Sequence, residues 1–405
     1  MTNIYRLLCI VVLLTLVSSC AIFRGNRDKE PDADEPAPLA DFSPEVEVER
    51  VWAKTIGKGL GRKYVEITPA IVEDRIFVGD AYGLILALDR LTGNVIWRTQ
   101  VGNPDRRSWF DVSNRSDPSF VSGGIGVGDD KVFVGTVRGE LIALDIDDGT
   151  EIWRETLSGE ILAPAVAESD VVVVQTADGK MYALESDTGE SRWVFNTQDP
   201  IVSLRGTAYP ALSEGYAFAG FANGTLAAVE LERGIPLWQQ RLTIPEGTSE
   251  LKRINDVDGR PLVLGQVVYA ANHQGAVQAR RLTTGDMIWE KPDPSFRALA
   301  EGLDLVFVVR DDDIVVAATQ QTGNEAWTQE AFKKRTLTDP LAYHNYIVLG
   351  DAKGYVHVIA QSDGRLLGRY RLAASIRSPM VEEDGIFYAL SNRGKLEALR
   401  ISRIE

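Results

Sequence analysis

Few side chains in this 405-residue chain have a type and spacing that could perform chemistry. The three histidines, His273, His344 and His357, stand far apart with no ligand spacing between them, so each is expected to be a core or surface imidazole. Asp311-Asp312-Asp313 has the acidity of a cation loop, yet Asp313 falls on a turn position of the repeat described below, and a solvated turn is the expectation. Gly124-Ile125-Gly126-Val127-Gly128 has the glycine density of a phosphate loop but leads into a strand, without the amide cluster of a helix N-terminus. The residues alone point to no catalytic group, no metal and no cofactor.

The irregular connections hold more promise. Residues 101–124 carry Trp109, Phe110 and Phe120; residues 196–209 contain Pro200-Ile201-Val202-Ser203-Leu204-Arg205-Gly206; residues 243–260 contain Asp256-Val257-Asp258. Apolar side chains with an arginine in one loop and paired acids in the next have the composition of a protein-docking surface. If both loops are extended, Val202 and Leu204 point one way, as do Asp256 and Asp258. The competing arrangement tucks the valine and leucine under their own loop.

These loops interrupt a repeat. Gly83, Gly139, Gly179, Gly224, Gly275, Asp313 and Gly354 each stand ten residues before a glycine: Gly93, Gly149, Gly189, Gly234, Gly285, Gly323 and Gly364. Four residues after that glycine comes Trp97, Trp153, Trp193, Trp238, Trp289 or Trp327, and in the seventh copy Gly368. A fixed internal spacing with gaps of 38 to 56 residues between copies marks a repeat array. Within the first copy, Ile67–Val72, Arg75–Gly79, Leu84–Asp89 and Asn94–Thr99 read as four short antiparallel strands separated by turn residues. The third is almost wholly apolar and requires burial on both faces. Four-stranded sheets repeated in this way are propeller blades.

An eighth copy begins at Pro379 and ends after Lys395–Ile401 without its fourth strand. Val46–Trp52 is that strand without a blade, and pairing the two closes a ring with no open edge at the joint. The fold expected is all-β: an eight-bladed propeller of antiparallel blades over 45–405. Trp52 and the six repeat tryptophans dock blade on blade.

A net charge of −15 and the lack of a basic face argue against a nucleic-acid partner. Arg6, the apolar run Leu7–Val17 and Ser18-Ser19 before Cys20 form a targeting segment over 1–19. That ending resembles the bacterial lipoprotein signal, which implies cleavage before Cys20 and acylation of it, as by palmitate. Ala21 in place of Asp after the cysteine implies sorting to the outer membrane. Cys9 leaves with the signal, so Cys20 has no partner for an internal disulfide. Residues 20–44, acidic and bearing Pro31, Pro36, Pro38 and Pro44, are expected to be a disordered tether.

The Ala-x-Asp-x-x-x-Gly-x-x-x-Trp repeat resembles the tryptophan-docking motif of quinoprotein propellers, from Val46 to the C-terminus. Two groups share it: pyrroloquinoline-quinone dehydrogenases and the BamB family of outer-membrane assembly lipoproteins. The lipoprotein start, the tether and the Ser-Leu-Arg-Gly and Asp-Val-Asp loops look like BamB, and the dehydrogenases' adjacent cysteine pair is missing. This resemblance implies a non-enzymatic, periplasm-facing scaffold of the Bam complex in a Gram-negative bacterium, aiding outer-membrane protein assembly. It implies BamA as partner, through the POTRA domains, with Val202, Leu204, Arg205, Asp256 and Asp258 as the contact, and nascent outer-membrane proteins as a further contact. The alternative is a dehydrogenase propeller holding pyrroloquinoline quinone on its axis. Gly368 and the non-Asp closing residues Glu185, Glu230, Arg281 and Thr319 are expected to weaken their blades.

Overall fold

A computed structural model describes residues 35–61, 65–102, 120–197, 209–242 and 256–404. Among them the strands form eight four-stranded antiparallel sheets, each built from consecutive strands except the last. The first blade comprises Ala70–Val72, Arg75–Gly79, Leu84–Asp89 and Val95–Gln100. Its second and third strands are buried almost throughout, as their unbroken apolar runs require, while the fourth alternates and forms the outer edge.

Closure of the ring follows the sequence reading and extends it. Val46–Thr55 pairs antiparallel with Lys395–Arg403, from Val46 opposite Arg403 to Thr55 opposite Lys395. A bulge at Val51 lies just before Trp52, and every complete blade carries a bulge at the corresponding place, as between Ala87 and Leu88 opposite Val95 and Trp97. A bulge shortens the flat edge that a neighbouring chain could pair with.

The tryptophans cross the joints between blades. Each indole Nε1 donates to a carbonyl three residues before the next blade's turn glycine: Trp52 to Arg90, Trp97 to Ile146, Trp153 to Ser186, Trp193 to Leu231, Trp238 to Leu282, Trp289 to Gln320 and Trp327 to Gln361, all at 2.7–2.9 Å. The glycine is needed beneath the ring. Gly364 sits at φ 71°, and a Cβ there would lie 2.5 Å from Trp327. In six blades an aromatic residue of the second strand backs the indole, as Phe77 backs Trp97 with centroids 5.9 Å apart.

The joint between blades seven and eight is different, and Gly368 is not a weakened copy there. Blade eight has no third-to-fourth-strand turn, because its fourth strand comes from the other end of the chain, so an indole would have no turn to cover. The space belongs to Val46, whose Cγ2 would be 2.7 Å from a Cβ on Gly368. Tyr343 makes the crossing instead: its hydroxyl donates to the Gly385 carbonyl at 2.7 Å and its ring meets Phe387 edge-on at 5.8 Å.

A second correction concerns the tether. Residues 37–44 do not hang free but lie along blade seven as a strap. Ala37 N donates to Lys333 O, Arg335 Nη1 to Ala37 O, and Arg369 Nη2 to Ala40 O, at 2.7–2.9 Å. Arg369 also stacks over Phe42, 5.0 Å from its centroid. Arg335 is held in turn by the buried Asp351, which also bonds His357 Nε2 at 3.0 Å, so this histidine is a core residue. Composition alone favours a tether here, and the two arginines of blade seven override it.

Candidate functional site

The first strand of each blade is the innermost, so the residues just before it ring the axis. They enclose an axial cavity of about 480 Å³.

 They come from every blade: Val65 and Glu66, Ser122, Leu162 to Pro164, Tyr209, Asp258 to Arg260, Phe296 to Ala298, Asp339 and Pro379. Charge is concentrated on blades five, six, seven and one, which supply Asp258 and Arg260, Arg297, Asp339 and Glu66. Blades two, three and four supply serine, apolar residues and Tyr209. The mouth is therefore charged on one side and largely apolar on the other.

Arg297 of blade six reaches Glu66 of blade one, Nη1 to Oε1 at 3.4 Å. Burial pushes the Glu66 and Asp339 carboxyls up, against the pull of the Arg297 charge. It pushes Asp258 up to about 8, with the Asp256 charge adding to the effect. His273, in a second-to-third-strand turn, places Nδ1 2.8 Å from the Asp311 carboxylate, which holds its imidazole above the usual value.

The run Asp311 to Asp313 is the turn expected, half-buried and internally bonded. Asp312 pairs with Arg310 at 3.1 Å, and Asp313, at φ 62°, accepts from the amides of Thr336 and Leu337 at 2.8 Å. Gly124–Gly128 lies within the strand Val121–Gly128, as its sequence context requires, and Phe120 is buried beneath Gly83 and Gly102.

Of the expected docking residues, Val202, Leu204 and Arg205 lie outside the described residues, as do Cys20, Trp109 and Phe110. Asp256 and Asp258 are described; they belong to no strand, and both carboxylates act on His273. Val257 is buried against Gly220, where a Cβ would stand 2.3 Å from it, and this draws Asp256 under cover at 0% exposure. Only Asp258 of the pair lines the mouth. Two described ends of the long connections do meet: the Arg260 guanidinium lies 4.9 Å from the centroid of the Tyr209 ring. Glu66, Arg297, Asp339 and Tyr209 were not singled out by motif. Their signal is positional, two to four residues before an innermost strand.

A planar quinone on the axis does not fit this mouth, because the Arg297–Glu66 pair crosses it. The chain has only Cys9 and Cys20, so it lacks an adjacent cysteine pair to cover such a ring. Among the described residues no group of three or more His, Cys, Asp or Glu is placed to hold a metal.

The family described as outer membrane protein assembly factor BamB matches residues 105–329 and 311–403, and a dehydrogenase β-propeller family matches 47–161. BamB of Yersinia pestis is 32% identical, over 92% of this chain and 93% of its own length. BamB of Shewanella oneidensis is 33% identical over 98% of each chain. The crystal structure of BamB from Moraxella catarrhalis superposes with a TM-score of 0.77 at 26% identity, covering 87% of this chain and all of that one. The quinohemoprotein alcohol dehydrogenase of Comamonas testosteroni shares the fold, with a TM-score of 0.68 at 15% identity over 87% of this chain and 76% of its own. With the family match spanning most of the ring and near full-length relatives above 30% identity, the chain belongs to the BamB family of outer membrane protein assembly factors.

Proposed function

We propose that this protein is a non-enzymatic scaffold of the outer-membrane β-barrel assembly machinery, anchored in the outer membrane by acylated Cys20 and facing the periplasm. Its partner is BamA, bound through the POTRA domains by Val202, Leu204 and Arg205 on one loop and Asp258 on the next. Asp256 serves that surface from beneath. The observation that carries this reading is the contact of Arg260 with Tyr209, which brings the ends of the two loops together beside the channel mouth. Arginine offers a planar fork for a carboxylate, and the apolar residues beside it supply an anchor that excludes water. Nascent outer-membrane proteins are a further contact, supported by the free outer edges of the blades and by exposed aliphatic residues there, such as Ile96, Ile152 and Ile288.

Titration of purified POTRA domains tests the main contact. The Leu204→Ala, Arg205→Ala double variant is expected to melt like the wild type and to bind more weakly by about 2 kcal/mol or more. Wild-type affinity in that variant would remove the site assignment. The anchor is tested separately: Cys20→Ser is expected to lose incorporation of labelled fatty acid, and retained label would place the acylation elsewhere.

A further inference from the structure

The axial cavity contains a device for holding residues 256–260. Arg297 is 4% exposed, and its backbone is fixed on both sides. Its amide donates to Ser295 Oγ at 3.0 Å, and that hydroxyl donates to Val309 O at 2.7 Å. The next amide, of Ala298, donates to Asp339 Oδ1 at 3.3 Å. The Arg297 carbonyl is pressed against Gly259, where a Cβ would be only 2.3 Å away. The connection into blade five, which contains Asp258, therefore rests directly on the backbone of Arg297.

The side chain meanwhile stands over the Phe296 ring, 4.5 Å from its centroid, and reaches Glu66 across the axis. Glu66 faces Arg297, Asp339, Arg377 and Asp258; Asp258 faces Asp256 and His273 as well; Arg297 also faces Asp313. Several carboxyl groups thus share one small space, and the Arg297 charge acts on Glu66 and Asp339 among them; without it these groups repel one another, and Asp258 beside them, as they ionise.

We infer that Arg297, tied across the axis to Glu66, is a positioning residue: it offsets the carboxyl cluster and holds residues 256–260 at the height where they meet the partner. This rests on the docking reading given above, but it can be tested without the partner. Amide exchange over 256–260 should speed up by about tenfold in Arg297→Met, as expected for local loosening without global unfolding. Arg297→Lys should restore part of the protection, since it keeps the charge and loses the fork. Glu66→Gln should fall between wild type and Arg297→Met. POTRA affinity should fall by about tenfold in Arg297→Met, the size of an ordinary coupling between sites.

The pH profile separates positioning from simple packing. Wild-type affinity should change between about pH 6 and about pH 8 as the cluster loses its protons, and Arg297→Met should move that change to higher pH. Wild-type exchange, affinity and pH profile in the Met and Gln variants would overturn the inference. If wild type failed to bind POTRA domains while exchange over 256–260 still responded, the docking reading would fall and the positioning role would stand. Should Arg297→Met fail to fold, the Lys and Gln variants decide: unchanged exchange in both overturns the role.

Discussion

Between blades the same contact recurs seven times, an indole laid on a glycine turn with its Nε1 on a carbonyl of the neighbouring blade. Around the channel mouth no such repetition holds: Glu66, Leu162, Tyr209, Asp258, Arg297 and Asp339 occupy comparable places on different blades. A joint has one task at every position, so one solution serves all. The mouth has an outside, and what it must meet there is not eightfold. Repetition therefore marks the part that carries stability, and its loss marks the part available for recognition.

Breaking the ring should have the largest effect. Removing Val46–Thr55 strips blade eight of its fourth strand, exposes Lys395–Arg403 as a free edge and takes Trp52 from its joint. A large drop in melting temperature with aggregation is expected; an unchanged melting curve would show that the strand does not close the fold. Trp327→Ala, in a buried joint, should cost about 3–5 kcal/mol by chemical denaturation. Gly364→Ala should cost about 1–3 kcal/mol, from positive φ and collision with the Trp327 ring. Gly368→Trp should also destabilise, because Val46 occupies the space. A stabilised Gly368→Trp variant would show that the closing joint is merely a damaged copy of the others.

The mouth should respond to pH where the joints do not. Asp258 has its pKa raised to about 8 in the folded state. The folded protein thus holds a proton that the unfolded chain releases near the ordinary carboxylate value. The stability linked to this group is present at low pH and is lost as pH rises through about 8. Melting temperature should fall over that rise in wild type, and Asp258→Asn should flatten the slope. An equal slope in the variant would assign the titration to other groups. The smallest effect is expected at the strap: Arg369→Ala should release residues 40–42 at about 0.5–1 kcal/mol, the size of one cation–π contact near the surface. Faster amide exchange of the strap, with the ring intact, would be its signature.

The ring was legible in the sequence because each joint repeats one local pattern. The turn glycine, the tryptophan four residues on and the apolar third strand lie within fifteen residues, and the orphan strand at Val46–Trp52 announced its own partner. The closing joint was not legible as a solution in its own right. Gly368 looked like a defect because Val46, which fills its space, is more than three hundred residues away in sequence. The cover over Asp256 was hidden for a related reason: Val257 packs beside Gly220, which belongs to another blade. The Arg297–Glu66 tie joins residues 231 apart, and only the closed ring brings them together.

The measurement that bears most directly on this division of labour compares Trp327→Ala with the Leu204→Ala, Arg205→Ala double variant, recording melting temperature and POTRA affinity for each. The account predicts opposite outcomes. The joint variant melts lower and, below its transition, binds like wild type; the loop variant melts like wild type and loses affinity. A loop variant with wild-type affinity, alongside a folded joint variant that no longer binds, would contradict it.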